Sequence, residues 1–492
     1  MRAVHLVPAG VVLLALGAIG AASLDRPAAS PNPAAVTRQV TVTAAARACP
    51  PTLGGGTGTV ALIAGPPGSG GSGGSGQAEL TSLSPAGVQL SPASAIRAKG
   101  PGVLSLLTVP AGSIAPSKGS KAKSVATGWS VTASGTMAQA LEAELASSSG
   151  LASLRCGEPG SDIWFAGPGQ QNGAAQIQLA LMNIDSLTAT VDVSLITDAG
   201  PVQAGNDTGI TVPPHQTVTE ALSPAAGNSS VVAIEVHTSS GRVAADVSEG
   251  GSAHGSTTTW LPSAAEPSTQ LVIPGVPPSS KAELFLTVPG TADAKVNVLA
   301  ITPQGQYRPF GAQPVDLPGQ SASSMALTPL GGAAAAVEIT ANVPVTATVL
   351  VPGSGVGAFA TATGPISEQA VVAGNISGSG LTPSLVLSAP AGSARVRLTE
   401  ISANTGSASP ASQVVSVRAG RTLMVPVKAP PGAKAGAPFA VVITPLPGSG
   451  PLYAARVETQ GQSAVAGIIP AASALTTISL PPVRDSYDAI AP

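Results

Sequence analysis

Apolar and polar residues alternate in short runs along most of the chain, and only one stretch carries the longer periodicity of an amphipathic helix. Alternation with a period of two places the apolar side chains of an extended segment on one face. The chain therefore predicts many short strands. One of them, IQLAL at 177–181, recurs as AELFL at 282–286 and PSLVL at 383–387. A second set is TVDVSLITDAG (190–200), KVNVLAITPQG (295–305) and RVRLTEISANTG (395–406). A third is VVAIEV (231–236), AAAVEI (334–339) and PFAVVI (438–443). Gly200, Gly305 and Gly406 are 105 and 101 positions apart, and Ala233, Ala336 and Ala440 are 103 and 104 apart. Independent segments that keep one spacing define a threefold repeat of about 100 residues.

The first repeat contains strand-like runs beginning near Ile163, Gln176, Ala189, Gly209, Gln216, Ser230 and Val243, with an edge segment closing at Trp260. Turn signals separate them, among them Asp198-Ala199-Gly200, Pro213-Pro214 and Ser239-Ser240-Gly241. About seven short strands in roughly 100 residues is the count of an immunoglobulin-like sandwich rather than of a propeller blade. The predicted fold class is all-β: tandem immunoglobulin-like β-sandwich repeats after an N-terminal transmembrane or signal segment.

The pattern before the repeats is less regular. TVALIAG (59–65), VLSLLTV (103–109) and SVTASG (130–135) read as strands, with a Gly/Ser tract, PGSGGSGGSG (67–76), as flexible linker. MAQALEAEL (137–145) is the chain's best helix candidate. The predicted organisation is a signal anchor or signal peptide (1–26), a linker (27–48), a partial β domain (49–156), repeats at 157–262, 263–362 and 363–480, and a tail (481–492).

Residues 6–24, LVPAGVVLLALGAIGAASL, carry no charge, and Arg2 and Asp25-Arg26 flank them. As a helix, 19 residues would span about 28 Å, close to the hydrocarbon thickness of a bilayer. Gly20-Ala21-Ala22 also offers a small-residue cleavage site. Anchor and cleaved signal both remain open, and both export the rest of the chain. Cys49 and Cys156 are the only cysteines. In an oxidising space an even pair reads most simply as a disulfide, with free thiols as the alternative. Neither has a second Cys or His at ligand spacing, so no metal site is expected.

Composition narrows the functional classes. Apolar residues make up 43% of the chain, aromatics 2% and charged residues 9%, which suits packed small-residue strands. The net charge of −2 argues against a nucleic-acid partner. Residues 1–155 nevertheless hold 10 Lys/Arg against 4 Asp/Glu, and residues 156–492 hold 12 against 20. Lys118, Lys121 and Lys123 form the one basic run. It reads as a solvated loop or as a contact for an anionic envelope polymer, and no aromatics interleave with it to stack bases.

Candidate chemistry is sparse. His5, His215, His237 and His254 make no metal-ligand spacing. Gly70-Gly71-Ser72-Gly73-Gly74 matches a nucleophile elbow only formally, since it lies inside the Gly/Ser tract. Asp192, Asp198, Asp246 and Glu249 fall on strands and turns of one repeat without acidic counterparts in the others. No enzyme and no cofactor are expected. Trp164-Phe165 is the only adjacent aromatic pair. It reads as core packing beside the cysteine or as a possible ligand patch for a glycan.

RACPP (47–51), GW (128–129), RCGEPGSDIWFAG (155–167), WLP (260–262) and IPGVP (273–277) occur together with the apolar N-terminus and the three-unit array. In this combination the chain resembles the actinobacterial domain of unknown function 5719 family of exported proteins. Ile163 departs from the pattern, standing where a second aromatic precedes the Trp-Phe pair. The resemblance implies a cell-envelope role alongside a large membrane glycosyltransferase, and it supplies no catalytic residues. The expected function is thus a non-catalytic exported envelope protein, an anchored stalk that scaffolds a membrane partner. A glycan- or polymer-binding module is the alternative.

Overall fold

The computed structural model describes residues 38–480, apart from 54–56, 67–74, 87–94, 111–127, 148–152, 203–207, 252–256, 310–313, 353–356, 404–409 and a few isolated positions. The apolar segment 6–24, His5, Lys118, Lys121, Lys123, His254 and the 481–492 tail lie outside the described residues. The chain is all-β, built as β-sandwiches.

Four sandwiches follow one another. In the first, Ala44–Cys49, Trp129–Ser134, Ala78–Ser82 and Ile96–Arg97 form one sheet. Ser153–Arg155, Glu142–Ser147, Gly58–Ile63 and Ser105–Val109 form the other. Cys49, Leu62, Leu80, Val131 and Leu145 meet in the core between them. A complete sandwich thus stands where the sequence suggested a partial domain.

The helix expected at 137–145 does not form. Gly135–Ala138 is one 3-10 turn, and Glu142–Ser147 is a strand paired with Gly58–Ile63. Ala, Leu and Glu are good helix formers, but propensity is a small energy per residue that tertiary pairing overrides. The run Glu142-Ala143-Glu144-Leu145 also alternates with period two, which puts Ala143 and Leu145 in the core.

The second sandwich pairs Asp162–Pro168, Val231–Ser240, Ala189–Thr197 and Gly200–Val202 in one sheet. Its other sheet holds Thr257–Leu261, Ala244–Gly251, Gln176–Asn183 and Gln216–Ala221. These strands start within a residue or so of the positions that alternation predicts, because turn residues and register together fix them. His215 (φ 54), Gln320 (φ 53) and Gly420 (φ 66) occupy the same left-handed turn position in successive repeats. His215 therefore shapes a turn.

In the third sandwich, Ala335–Val351 serves both sheets. Its first half pairs Ser268–Val276 and Ala294–Ile301, and its second half pairs Glu283–Val288 and Ala358–Thr361. The fourth sandwich has one sheet of Ala370–Asn375, Phe439–Pro445, Ala394–Ser402 and Ala411–Val417. Arg421–Pro426, Leu381–Ala389, Tyr453–Gln460 and Ala464–Pro470 form its second sheet. Arg38–Thr41 and Thr477–Leu480 make a separate two-stranded antiparallel ribbon.

An extended stalk is not what these sandwiches build. Phe285, Ala322, Leu350 and Phe359 of the third join the apolar cluster of the second. Val386, Ala455, Val457 and Ile468 of the fourth join that of the third. Gly275 (φ +82) permits this approach, since a Cβ there would sit 2.4 Å from the Ala455 methyl. The fourth then returns to the first. Val371, Ala373, Ile401, Ala440 and Val442 pack on Ala61, Ile63, Leu104 and Ala140. Arg456, fully buried, pairs with Glu144 and donates to Ser153 Oγ at 2.8 Å. The other Glu144 oxygen accepts from Gly374 N at 3.0 Å. The outer faces of the sheets carry enough small apolar residues to bury one another, so the four units close on themselves.

Candidate functional site

The joint between the first two sandwiches is pinned on both sides. Cys49 and Cys156 form a disulfide, both fully buried in the first core. Ala48 and Gly157 exchange backbone hydrogen bonds at 2.9 Å, which zips the chain leaving Cys156 onto the first sandwich. Gly160 and Val243 do the same on the second at 2.9 and 3.1 Å. The six residues from Arg155 to Gly160 are thereby held in place.

A charged cluster lies beside the disulfide. Arg155 Nε is 2.7 Å from Glu142 Oε1, and Arg47 Nη2 is 2.7 Å from Glu158 Oε1. Arg47 also donates to the Leu141 carbonyl at 3.1 Å. Burial lifts the Glu142 pKa above the ordinary carboxylate value despite Arg155 and Arg47. Burial also opposes ionisation of Glu158, but the two arginines outweigh it and hold that pKa low. Glu142 faces the interior, whereas the Glu158 side chain is 57% exposed.

Glu158 opens onto a cavity of about 420 Å³ where all four sandwiches meet. Its charged lining residues are Arg155, Glu158 and Asp162, and Trp260, Phe359 and Ile468 are among its apolar ones. Each sandwich contributes the terminal strand of a sheet: Ser153–Arg155, Thr257–Leu261, Ala358–Thr361 and Ala464–Pro470. Turning these edges toward a common centre shields them from pairing with foreign strands. The volume lies in the range of small-molecule sites.

Asp162 also meets His237, its cross-strand neighbour, with Nδ1 at 2.6 Å from Oδ1. This hydrogen bond raises the His237 pKa and, with one from Ser161, lowers that of Asp162. Ser161 Oγ bonds the carboxylate at 2.7 Å and not the imidazole. The trio therefore lacks the hydroxyl-to-imidazole contact that acyl transfer requires. Among the described residues, no group of three or more His, Cys, Asp or Glu gathers as a metal site.

The aromatic pair divides between two faces. Phe165 is fully buried in the second sandwich's core cluster. Trp164, 6% exposed, borders a shallow groove with Pro289, Val343 and Pro344 of the third. Trp129 and Trp260 are equally covered, at 7% and 5%. The four carboxylates singled out in the sequence do not converge on one another's hydrogen bonds. Asp192 accepts from Gly209 N and Asp198 from Ser230. Asp246 and Glu249 are buried on one strand but, three residues apart, point to opposite faces of its sheet.

Arg155, Glu158, Asp162 and Trp260 carry no catalytic or ligand motif, so spacing alone could not single them out. The signal was elsewhere: RCGEPGSDIW and WLP, which carry the family resemblance, supply much of the cavity wall. Among curated proteins none matches this chain. The profile of a family of unknown function, DUF5719, matches residues 113–428, well over half of the sequence and parts of all four sandwiches. The strands that build the cavity and the residues that mark the resemblance fall largely inside that span, and the chain belongs to the DUF5719 family.

Proposed function

We propose that this is an exported, non-catalytic cell-envelope protein that serves as a scaffold or accessory partner of membrane machinery. The partner implied by the family resemblance is a membrane glycosyltransferase. The observation that carries the reading is the buried Cys49–Cys156 disulfide, which ties the start of the first sandwich to its exit. Such a bond forms and persists in oxidising surroundings outside the cytoplasm. Apolar interfaces hold the sandwiches in fixed relation, which suits a platform that orients a partner. The N-terminal segment 6–24 would supply membrane attachment, as an anchor or until cleavage.

Crosslinking in intact cells, detergent solubilisation and mass spectrometry of the recovered adduct test the proposal. A stoichiometric membrane glycosyltransferase is the expected product. Recovery of glycan without any protein would refute the scaffold and favour the polymer-binding alternative. That alternative gains nothing from the aromatic pair, since Phe165 is covered. It draws support instead from the charge of the fourth sandwich.

A further inference from the structure

Charge is distributed unequally among the sandwiches. Residues 157–262 hold one Lys/Arg against ten Asp/Glu, whereas residues 363–480 hold seven against three. Of those acids, Glu400 and Glu458 are buried, at 6% and 2% exposure, and Glu368 accepts hydrogen bonds from Thr476. Of the seven cations only Arg456 is committed to an ion pair among the described residues. An excess of unpaired, exposed cations on one unit of a net-acidic chain is a field that attracts anions.

Several of these cations share one surface. Arg395 and Arg397 point outward from Ala394–Ser402, while Ala394, Val396 and Leu398 enter the core. Two residues along a strand, they stand about 7 Å apart. Ser416 and Val414 lie directly opposite them on Ala411–Val417 and share their face. Arg418 continues that strand and is exposed. Ser416, Arg418 and Arg421 then enter a groove of about 500 Å³ that also borders Pro303 and Gln304 of the third sandwich. Arg421 Nη1 donates to the Pro303 carbonyl at 3.2 Å, which fixes the guanidinium at the groove without neutralising it. A track of arginines thus runs from the groove onto the sheet face.

We propose that this track binds a linear anionic polymer, a carboxylate-bearing glycan or a polyol phosphate, with anionic groups seated on Arg395, Arg397, Arg418 and Arg421. Guanidinium groups suit carboxylate and phosphate because they donate two parallel hydrogen bonds. Ser412, Ser416 and Thr399 supply hydroxyls on the same face, where Val414 is exposed, and Leu423 is exposed in the groove. A protein partner would want a cluster of aromatic or aliphatic anchors, and a nucleic acid would want stacking aromatics; two aliphatics among four arginines supply neither. The site is separate from the junction cavity and stands whether or not the scaffold proposal holds.

The test is binding of the purified exported chain to polygalacturonate and to poly(glycerol phosphate), read by affinity electrophoresis at low and moderate salt. Saturable binding to either polymer that weakens with salt is expected, and the preferred polymer identifies carboxylate or phosphate. The Arg395→Ser/Arg397→Ser/Arg418→Ser variant should bind about thirtyfold more weakly, each exposed ion pair contributing about threefold. These side chains are exposed, so the melting temperature should stay unchanged. The Lys281→Ser/Arg308→Ser control in the third sandwich should bind as the native chain does. Equal binding by the triple variant, no binding to either polymer, or tighter binding to anionic lipid vesicles would each overturn the proposal.

Discussion

Replacing Arg456 by Met tests whether a dry ion pair locks the fourth sandwich to the first. Arg456 is 0% exposed and its partner Glu144 2%. Glu458, also 2% exposed, feels the same guanidinium, and burial raises its pKa in spite of it. Without Arg456, two carboxylates would lie buried with no cation, a loss of about 3–5 kcal/mol. The pair itself is incompletely compensated, because Nε and Nη1 of Arg456 make no protein hydrogen bond among the described residues. Replacing Glu144 together with Arg456 removes one of the two stranded carboxylates and leaves Glu458 in place. The Glu144→Leu/Arg456→Met variant is therefore expected to recover about half of the loss, with a coupling energy of about 2–3 kcal/mol. Urea unfolding followed by tryptophan fluorescence gives the energies, and limited proteolysis reports release of the fourth sandwich. A single-variant loss under about 1 kcal/mol is the size of a solvated pair. If the double variant also fared no better, the interface would be wet and the closed arrangement wrong.

Two further expectations concern buried groups. Asp246 is fully enclosed, and burial alone raises its pKa well above the ordinary value. The folded chain then holds a proton that the unfolded chain releases, so stability falls as pH rises from the usual carboxyl range through the raised pKa. Asp246→Asn should melt higher than the native chain at about pH 8 and equally at about pH 3, as calorimetry would show; the same difference at both would disprove a protonated Asp246. Breaking the disulfide by Cys49→Ser/Cys156→Ser removes a crosslink between positions 107 apart in sequence. The chain-entropy loss is about 4–5 kcal/mol, visible as a lower urea midpoint that added reductant does not shift further.

Much of this architecture could be read from local pattern. Alternation at 177–181 and its recurrences located the strands of the last three sandwiches, because register forces each apolar set to one face. The cysteine pair was legible from its count, and the family from RCGEPGSDIWFAG and WLP. Residues 137–145 misled, since helix propensity is a weak preference and the neighbour that overrides it, Gly58–Ile63, is remote in sequence. Phe165 and Trp164 could not be assigned a face until the third sandwich was seen packing beside the second.

The sequence by itself determined most of the strands, the repeat, the cysteine pair and the uneven charge, all of which depend on residue type and spacing along the chain. Only the tertiary structure decided that the sandwiches close on themselves, that their free edges meet around a cavity, and that Arg456 finds Glu144 across 312 positions. The same folding step lined up Arg395, Arg397, Arg418 and Arg421 from two sheets along one surface. Such contacts depend on which outer sheet faces are small and apolar enough to bury one another. That is a property of surfaces assembled from distant strands, and no single stretch of sequence contains it.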